Sequence, residues 1–535
     1  MGLSRRKFLA GLAALTGISA LAPAEEVLAQ EDRRRKTIVL TDTATTRGQY
    51  LYLPFKVPRG VNRIDAKLTK EGDASVGVGL FDQRGIEYES PGFRGVFGAE
   101  SNEFFVSARH ATRSFTPGRI KPGKWTVIVP VFDTTGPTEI KVRVTLSFGS
   151  QGETKLPGPE VGVVSPNPGW YKGELHCHTP QSSDAWASGS SLTPEGWADK
   201  AREIGLDFIS LTDHNVTKQN WKLREDAGEG VLLIAGEEMT NWFHGHATVT
   251  GIEPGDHLDW RQRPEFGEFA VAELGPGEAR IEEFIAEARR LGAYVSAAHP
   301  AAPLPGLTWQ FFADAEENPE GALTDGLEVW TGPHQPDDEA TLLKWDDFLR
   351  RGWKVWANGG SDTHGIKNSP FQPGYPTNVV YADSLSKEGI VSALKRGRMF
   401  LTRLPDGAEV YLSATGPDAQ AQIVGGTIYG EADDLAEFTV LVRKGSGMRL
   451  VLLRDGAPVQ TTLIESNEQE VKLTQPIAPR GYVRAELRGQ ADIENPDPLA
   501  KRTDMEALTN PIFLEIGPET AGNEPQTASP PPSGN

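Results

Sequence analysis

The chain has 535 residues, 38% of them hydrophobic and 24% charged, and its formal net charge is −19 because 73 acidic residues outnumber 54 basic ones. A chain of this length exceeds what one hydrophobic core usually serves, so we expect two to four domains. The acidic balance opposes binding along nucleic-acid phosphates, and no basic stripe with interleaved aromatic residues is present, so the sequence predicts a small substrate and no nucleic-acid partner.

The first residues have the pattern of an export signal. The string SRRKF at residues 4–8 precedes an uncharged run and the small residues of Ala22-Pro23-Ala24, which is typical of a twin-arginine signal peptide over residues 1–29. The apolar run of about 15 residues is shorter than the roughly 20 of a spanning helix, so a cleaved signal is favoured over a membrane anchor. We therefore expect a periplasmic or secreted protein with the twin-arginine export machinery as a partner, cleaved after Ala24 or Ala29.

Residues 37–148 contain short β-type runs separated by Gly, Pro and Asp turns, among them 49–57 and 124–131. This spacing predicts a β-sandwich. Its expected role is structural support for the next domain, with carbohydrate or substrate binding as the alternative. Residues 149–169 contain four prolines among glycines and few apolar residues, which predicts a linker.

Strand and helix patterns alternate from residue 170 to residue 403, which predicts a parallel βα architecture. The predicted elements are strand 174–178, helix 194–204, strands 207–212 and 231–235, helix 281–290, strands 293–298 and 326–330, helix 338–350, strand 354–358 and helix 387–396. Histidine and acidic residues stand at or just past the C-terminal ends of the strands, where βα barrels gather their catalytic groups.

The β-type runs return after residue 403. Runs at 410–414, 437–443 and 481–487 predict a second β-sandwich over residues 407–516. Residues 517–535 are rich in Pro, Gly, Ser and Thr without apolar spacing, which predicts a disordered tail.

Nine of the ten histidines fall between residues 176 and 364, six of them in short strings with acidic residues. Imidazole and carboxylate ligands together suit zinc, manganese or iron. Alternation along a strand would turn His176 and His178 to one face, to share one ion, and Cys177 to the other as a buried thiol. The ligand set exceeds what one four-coordinate ion requires, so we expect two or three divalent metals.

These strings also resemble a known family. They are GELHCH at 173–178, SD at 183–184, TDHN at 212–215, GEE at 236–238, HP at 299–300 and GSDTH at 360–364. In content and order they resemble the motifs of the PHP (polymerase and histidinol phosphatase) metal-dependent hydrolases, and the resemblance covers roughly residues 169–403. Together with the flanking β-rich segments and the export signal, they are most similar to the branch of the CehA/McbA carbaryl hydrolases. The resemblance implies a distorted (β/α)7 barrel for residues 170–403.

The resemblance further implies three metal sites. His176, His178 and Asp362 with a bridging Glu238 would hold the first, Glu238 with His246 and His299 the second, and Asp184 with His214 and His364 the third. The family has either His or Asp at the position of Asp184, so filling of only two sites stays open. The family's Gly-x-Glu spacing selects Glu238 over Glu237.

Other residues near the strings receive roles from their type and position. Asp213 is expected to orient His214 by accepting its second ring N–H. His246 fits a ligand-bearing strand better than His244, which is left to contact the substrate. His257 and His334 lie in loops and are expected at the surface.

The chemistry implied is hydrolysis by a metal-bridging hydroxide, held through His176, His178, Glu238, His299 and Asp362, of a small phosphomonoester or phosphodiester. The similarity to the carbaryl hydrolases implies a carboxyl or carbamate ester as the alternative, and aromatic loop residues suit an aryl leaving group. Those residues are Trp260, Phe266, Phe269, Trp309, Phe311 and Phe312. A third hypothesis is a non-catalytic binding protein that its metals only stabilise, although so many ligands at strand ends favour an enzyme.

Overall fold

The structure is a computed structural model that describes residues 34–489 and 503–517. The predicted signal peptide and, apart from Gly517, the predicted tail lie outside the described residues. Within the described ranges, the helices are too short or too polar to cross a membrane.

Strands dominate the described chain. They are β1 (Arg35–Ala44), β2 (Tyr50–Val57), β3 (Val61–Glu71), β4 (Ser75–Val76), β5 (Val78–Phe81), β6 (Phe93–Phe97), β7 (Glu103–Ser107), β8 (Gly123–Asp133), β9 (Thr138–Phe148), β10 (Gly169–Glu174), β11 (Phe208–Leu211), β12 (Leu232–Asn241), β13 (Gly245–Thr250), β14 (Gln262–Arg263), β15 (Ala279–Arg280), β16 (Tyr294–Ala298), β17 (Gly326–Thr331), β18 (Trp356–Gly360), β19 (Thr377–Ala382), β20 (Met399–Thr402), β21 (Glu409–Thr415), β22 (Ala421–Ile423), β23 (Thr427–Gly430), β24 (Leu435–Arg443), β25 (Arg449–Arg454), β26 (Ala457–Leu463), β27 (Glu468–Pro476), β28 (Gly481–Arg488), β29 (Met505–Thr509) and β30 (Ile512–Ile516). The helices are α1 (Ser183–Ala187), α2 (Pro194–Ile204), α3 (Leu223–Asp226), α4 (Ile281–Arg290), α5 (Phe312–Glu317), α6 (Pro319–Ala322), α7 (Pro336–Arg350) and α8 (Lys387–Lys395), with a 3-10 helix at Lys218–Lys222.

Strands β1 to β9 form two antiparallel sheets, ordered β1-β9-β3-β7 and β2-β8-β5-β6, with β4 paired to β8. Residues alternate along β9 so that Ile140, Val142 and Val144 are buried while their neighbours are not. Together with residues such as Leu53 and Val127 of the other sheet they form one hydrophobic core. This alternation is the pattern of strands buried on one face.

The predicted (β/α)7 barrel is wrong. The structure is 41% strand and 15% helix, and strands β10 to β20 belong mostly to one large mixed sheet. This 15-stranded sheet has the order β18-β17-β16-β13-β12-β11-β10-β19-β20-β29-β28-β25-β26, with β30 and β23 attached beside β28. Its pairs β10–β11, β11–β12, β16–β17 and β17–β18 are parallel, whereas β12–β13, β13–β16 and β10–β19 are antiparallel.

The error lies in the connections rather than in the local elements. Helix α2 spans the predicted residues, because the Thr193 side chain caps its first turn and Gly205, at φ 79°, ends it. Between β12 and β13, however, the chain turns back within three residues, from Asn241 to Gly245, where the barrel prediction required a crossover helix. Periodicity reports the local element and not the direction of the next strand.

The C-terminal strands continue the central sheet. Strand β20 pairs with β29, joining Phe400 to Thr509, and β29 pairs with β28. A separate sheet, β22-β21-β24-β27, contributes to a second core with them, which includes Val440 and Leu487. The boundary predicted between residues 403 and 407 is therefore crossed by a continuous hydrogen-bonded sheet.

Candidate metal centre

All nine residues predicted as ligands lie around one centre in the large sheet. His176 and His178 follow β10, Asp184 lies in α1, His214 follows β11, Glu238 lies in β12, His246 in β13, His299 follows β16, and Asp362 and His364 follow β18. The strand predicted over 174–178 is β10, which ends earlier, at Glu174. Strand alternation therefore does not place His176 and His178, although their imidazoles still meet.

Several His, Glu and Asp groups are close enough to hold a metal ion. In four overlapping groups the ligand atoms lie within 4.8 Å of one another. They are His176 with His178 and Asp362; His176 with Glu238 and His299; His214 with Glu238 and His246; and His178 with His214 and His364.

Glu238 is the central carboxylate. Its Oε1 lies 2.9 Å from His246 Nδ1 and 3.5 Å from Nε2 of both His176 and His299. Its Oε2 lies 2.6 Å from His214 Nδ1. The antiparallel register sets His246 opposite Thr240, two residues from Glu238, so these three side chains share one face. Glu237 points away.

The neighbour of Glu237 is the ring of His257, whose Nδ1 is 2.6 Å from its carboxylate. The Leu258 N–H also donates to Glu237, at 3.0 Å. Glu238 is therefore the carboxylate that geometry makes available to bridge.

Hydrogen bonds on the far side of each ring fix the tautomers of His176 and His178. His176 Nδ1 donates to Glu328 Oε2 at 2.9 Å. His178 Nδ1 donates to Ser182 Oγ at 2.9 Å, because that hydroxyl gives its own proton to Asp213 at 2.7 Å. As neutral metal ligands, the two rings would therefore direct the lone pairs of their Nε2 atoms, 3.3 Å apart, at a shared ion.

His214 and His364 form a second pair of the same kind. His214 Nδ1 lies 2.6 Å from two oxygens, Thr240 Oγ1 and Glu238 Oε2. The Thr240 hydroxyl donates its own proton to the backbone carbonyl of Glu238. His364 Nδ1 donates to the carbonyl of Asp362 at 2.9 Å. The two Nε2 atoms lie 3.3 Å apart, with an Asp184 oxygen 3.2 and 3.1 Å away.

Imidazole nitrogens and carboxylate oxygens at such distances repel one another unless protons or a metal cation lie among them. Two further buried ring nitrogens, His246 Nε2 and His299 Nδ1, have no hydrogen-bond partner within the described chain. Nitrogen and oxygen donors in these numbers suit a divalent transition metal. The residues present therefore fit a metal centre.

The pKa shifts show the same demand for positive charge. Burial alone would raise the pKa values of Glu238, Asp184 and Asp362, yet the neighbouring imidazoles hold them below their usual range. Burial likewise opposes the charge on His364, but the Asp362 and Asp184 carboxylates raise its pKa to about 9. Burial and the adjacent His364 and His214 lower the pKa of His178 to about 3. The carboxylates stay ionised, so the centre attracts cations.

Backbone strain is concentrated at the centre. His299 has φ 31°, Asp362 has φ 50° and Asn215 has φ 48°, conformations that cost roughly 1–3 kcal/mol each. The Asn215 side chain offsets part of this by two hydrogen bonds of 2.9 Å to the backbone of Thr240. Gly360 is required by space, because a Cβ there would lie 2.2 Å from His176 Cβ.

Three supporting residues were missed by sequence reasoning. Glu328 holds His176, and Ser182 holds His178. Burial raises the pKa of Glu174 to about 7 although its carboxylate accepts backbone N–H groups of His176 and Ser361 at 3.1 and 2.9 Å. The available signal was a lone acidic residue inside a buried apolar run, as in GLEVW at 326–330.

The prediction for Asp213 is wrong in its partner. Its carboxylate accepts hydrogen bonds from the backbone and hydroxyl groups of Thr179 and Ser182, at 2.7 to 2.9 Å, and not from the His214 ring. Asp213 therefore orients His178 through Ser182. Its pKa is raised to about 6 by burial, which these hydrogen bonds oppose.

The side chains of Cys177, His244 and His334 are not part of the ligand groups. Cys177 is buried with Sγ 3.3 Å from the Ser210 carbonyl, and burial raises its thiol pKa well above the usual range. His244 lies 3.2 Å from an Arg263 nitrogen, and burial together with that arginine lowers its pKa to about 3. His334 is buried and bonded to Thr503, so the predicted surface position is wrong.

A cavity of about 300 Å³ opens onto the ligands. Its walls include Asp184, His214, His246, His299, Asp362 and His364, with Trp242 and Leu307 beside them and Val96, Gly98, Glu100 and Ser114 from the N-terminal sheets. None of the six aromatic residues predicted as walls lines it; Trp260, Trp309 and Phe311 are packed in the core, and Phe266 and Phe269 are exposed. The predicted aromatic pocket is therefore wrong.

Comparison with known proteins assigns no family. No family model matches the chain, and no curated protein matches it. Among solved structures, the CARDB domain of a Pyrococcus furiosus protein is 9% identical with a TM-score of 0.13, covering 21% of this chain and 95% of that domain. A β-glucuronidase of Bacteroides uniformis is 6% identical with a TM-score of 0.17 over 89% of this chain and 60% of the glucuronidase. Neither likeness bears on fold or function at these TM-scores.

Proposed function

We propose that the protein is a multinuclear metal-dependent hydrolase that cleaves a small phosphomonoester or phosphodiester. The observation that carries the proposal is the convergence of imidazole nitrogens and ionised carboxylates around Glu238, several of which line a cavity of about 300 Å³. The resemblance of the ordered sequence strings to PHP hydrolases supports the same reaction class.

Two or three ions of zinc, manganese or iron fit the donor set. His176, His178 and Asp362 would hold one, Glu238 with His246 and His299 a second, and Asp184 with His214 and His364 a third, with Glu238 shared. Bound there, such ions would lower the pKa of a water molecule and offset the charge that develops on phosphoryl oxygens.

The chain's own residues position these donors and leave the nucleophile to water. Glu328 and Ser182 keep His176 and His178 in the tautomer that presents Nε2. Cys177 is unsuited to attack, because its thiol is buried, points away from the cavity and has a raised pKa. The cavity of about 300 Å³ fits a small ester.

The phosphoester is preferred to a carboxyl or carbamate ester because the cavity contains one aromatic wall residue, Trp242, among the described residues. An aryl carbamate would gain from several aromatic walls. Purified protein should be stripped with a chelator, reconstituted with manganese, zinc or iron, and assayed on an aryl phosphomonoester, an aryl phosphodiester and an aryl carbamate. We expect metal-dependent cleavage of a phosphoester; cleavage of the carbamate alone would contradict the assignment.

Ligand replacement separates this proposal from a non-catalytic role for the metals. Asp362→Asn and His178→Ala should lose bound metal by elemental analysis together with nearly all turnover. Glu328→Gln, which leaves the ligands but loosens His176, should cost about 10- to 100-fold in metal affinity or activity. His110→Ala, at an exposed position in the N-terminal region, is the matched control. Full activity of Asp362→Asn would refute the site.

We also propose export by the twin-arginine route, on the strength of the SRRKF string at residues 4–8. Replacement of Arg5 and Arg6 by lysine should leave the precursor in the cytoplasm, measured by cell fractionation. Normal export of that double variant would contradict the proposal.

A further inference from the structure

The N-terminal sheets supply one wall of the metal cavity. Val96 belongs to β6, Gly98 and Glu100 follow it, and Ser114 lies in the next loop. The sequence predicted support as the main role for this region, but these residues face the space in which a substrate would lie.

Glu100 is fixed in this wall by both domains. Its Oε1 accepts the Gly98 N–H at 2.9 Å and the hydroxyl of Ser183, the neighbour of Asp184. The Ser114 hydroxyl donates to the Gln181 carbonyl at 2.7 Å, which ties the same wall to the loop before α1. The Glu100 carboxylate therefore has a defined position relative to the metal ligands.

The wall of the cavity combines carboxylates with the imidazoles of the metal centre, His214, His246, His299 and His364. Its described residues include three carboxylates, of Glu100, Asp184 and Asp362, and no lysine or arginine. Asp184 and Asp362 lie against imidazoles. The partners of the exposed Glu100 carboxylate among the described residues are the uncharged Gly98 N–H and Ser183 hydroxyl, so its charge is available to a ligand.

We propose that Glu100 is a specificity-determining residue that selects phosphodiesters carrying an ammonium group on the substituent that lies against the N-terminal sheets. The inference rests on the proposed function and names its substrate class. An ammonium group donates charge-assisted hydrogen bonds to a carboxylate, whereas an anionic group placed beside that carboxylate is repelled.

The test uses three 4-nitrophenyl phosphodiesters whose second substituent is 2-aminoethyl, ethyl or 2-carboxyethyl. For the reconstituted wild type we expect kcat/KM to fall by about tenfold from the amino to the ethyl ester, and again to the carboxyl ester, since a charged hydrogen bond of this kind is worth about tenfold. Glu100→Gln should bring the three values within about threefold of one another, and Glu100→Lys should reverse their order.

A binding measurement gives a readout that does not need turnover. By calorimetric titration, 2-aminoethylphosphonate should bind the wild type more tightly than 2-carboxyethylphosphonate, and Glu100→Gln should remove the difference. Glu103→Gln is the matched control, because Glu103 lies on β7 of the same region and pairs with Lys67 at 2.8 Å outside the cavity. It should keep the wild-type ratios.

The outcomes separate the two proposals. If the wild type cleaves all three esters but Glu100→Gln keeps the wild-type ratios, the inference about Glu100 is wrong and the hydrolase assignment stands. If the reconstituted wild type cleaves none of them, nor a phosphomonoester, the hydrolase assignment fails and this inference fails with it.

Discussion

The two flanking β regions are attached to the central region in opposite ways. On the C-terminal side, β20 and β29 exchange backbone hydrogen bonds, so the sheet runs through the junction. On the N-terminal side, the contacts are made by side chains: Arg261 donates to the Tyr52 hydroxyl at 2.9 Å, and Ser114 to Gln181 at 2.7 Å. A sheet that runs through a junction couples both parts into one folding unit, whereas a side-chain interface can change without altering the sheet.

The two junctions also differ in chemistry. The C-terminal junction contains a buried ion network in which Arg484 lies 2.8 Å from Asp346 and 2.5 Å from Glu486. The N-terminal junction is aromatic, with Phe93 stacked 4.4 Å from the His257 ring. We expect the C-terminal junction to determine global stability and the N-terminal one to determine the shape of the cavity wall.

The largest effect is expected at Asp346. Asp346→Ala leaves the guanidinium of Arg484, which is 2% exposed, without its bidentate partner. Breaking a buried ion pair from one side costs about 3–5 kcal/mol. The free energy of unfolding should fall by this amount in the main transition, measured by urea denaturation.

Two controls test the reason for that loss. Lys67→Ala removes the exposed pair with Glu103 and should change the free energy of unfolding by less than about 1 kcal/mol. The double variant Asp346→Leu with Arg484→Met should recover much of the stability lost by Asp346→Ala, because it removes a buried arginine that has lost one of its two carboxylate partners. A loss confined to a separate early transition would contradict the coupling of the C-terminal strands to the sheet.

The next largest effect is expected from acidification, which should also destabilise the C-terminal junction. Burial alone would raise the pKa of Glu486, but Arg484 and Arg488 lower it to about 2. Since its unfolded value is about 4.3, Glu486 contributes roughly 3 kcal/mol above that pH, which is lost as the pH falls toward 2. Unfolding free energy measured from pH 6 to pH 2 should show this slope, and Glu486→Gln should flatten it.

The N-terminal junction should respond to acid with the opposite sign. Burial and the nearby Glu287 raise the pKa of Glu89. A raised carboxyl pKa means that the ionised form disfavours the folded state, so protonation on acidification relieves a cost. Glu89→Gln should therefore leave the acid slope of the wild type unchanged or make it steeper; a flatter slope would contradict the contrast between the junctions.

A smaller effect is expected from loss of the aromatic contact. Phe93→Ala removes a half-buried ring that lies 4.4 Å from His257 and 4.7 Å from Trp260. We expect a cost of about 2 kcal/mol, below that of a fully buried phenylalanine, and calorimetry should resolve an early transition of the N-terminal region. Phe105→Ala, which removes a half-buried ring on the outer face of β7, should not produce that early transition.

Sequence reasoning located helices better than the end of β10. Caps and periodicity defined α2 and α4 to the residue. Strand β10 ends early because the Glu174 carboxylate accepts the N–H groups of Leu175 and His176, both at 3.1 Å, so these groups are withdrawn from strand pairing. A side chain that accepts hydrogen bonds from neighbouring backbone N–H groups does not change the alternation of apolar residues, so the sequence pattern does not reveal it.

The ligand strings could be predicted because each carries its chemistry locally, whereas the groups that orient the ligands could not. Glu328 is 152 residues from the His176 ring that it holds. Asp213 is adjacent to His214 but bonds Ser182 instead, since its backbone position turns the carboxylate toward the residues after β10. Contacts of this kind depend on which strands pair, and this is also why the barrel prediction failed.

The smallest effects come from a matched pair of hydroxyl deletions. Tyr482 is buried and donates to Asp346 Oδ1 at 2.7 Å, whereas the half-buried Tyr52 accepts from Arg261 at 2.9 Å. Tyr482→Phe should lower the free energy of unfolding by about 1.5–3 kcal/mol, because the lost bond reaches a buried charge. Tyr52→Phe should cost about 1 kcal/mol or less, because Arg261 keeps its contacts with Asp259 and Ile86.

The decisive measurement is which unfolding transition each variant affects: the main transition for Tyr482→Phe and the early N-terminal transition for Tyr52→Phe. If both losses fell in one shared transition, the side-chain interface would be as strongly coupled as the continuous sheet, and the contrast between the two regions would be wrong.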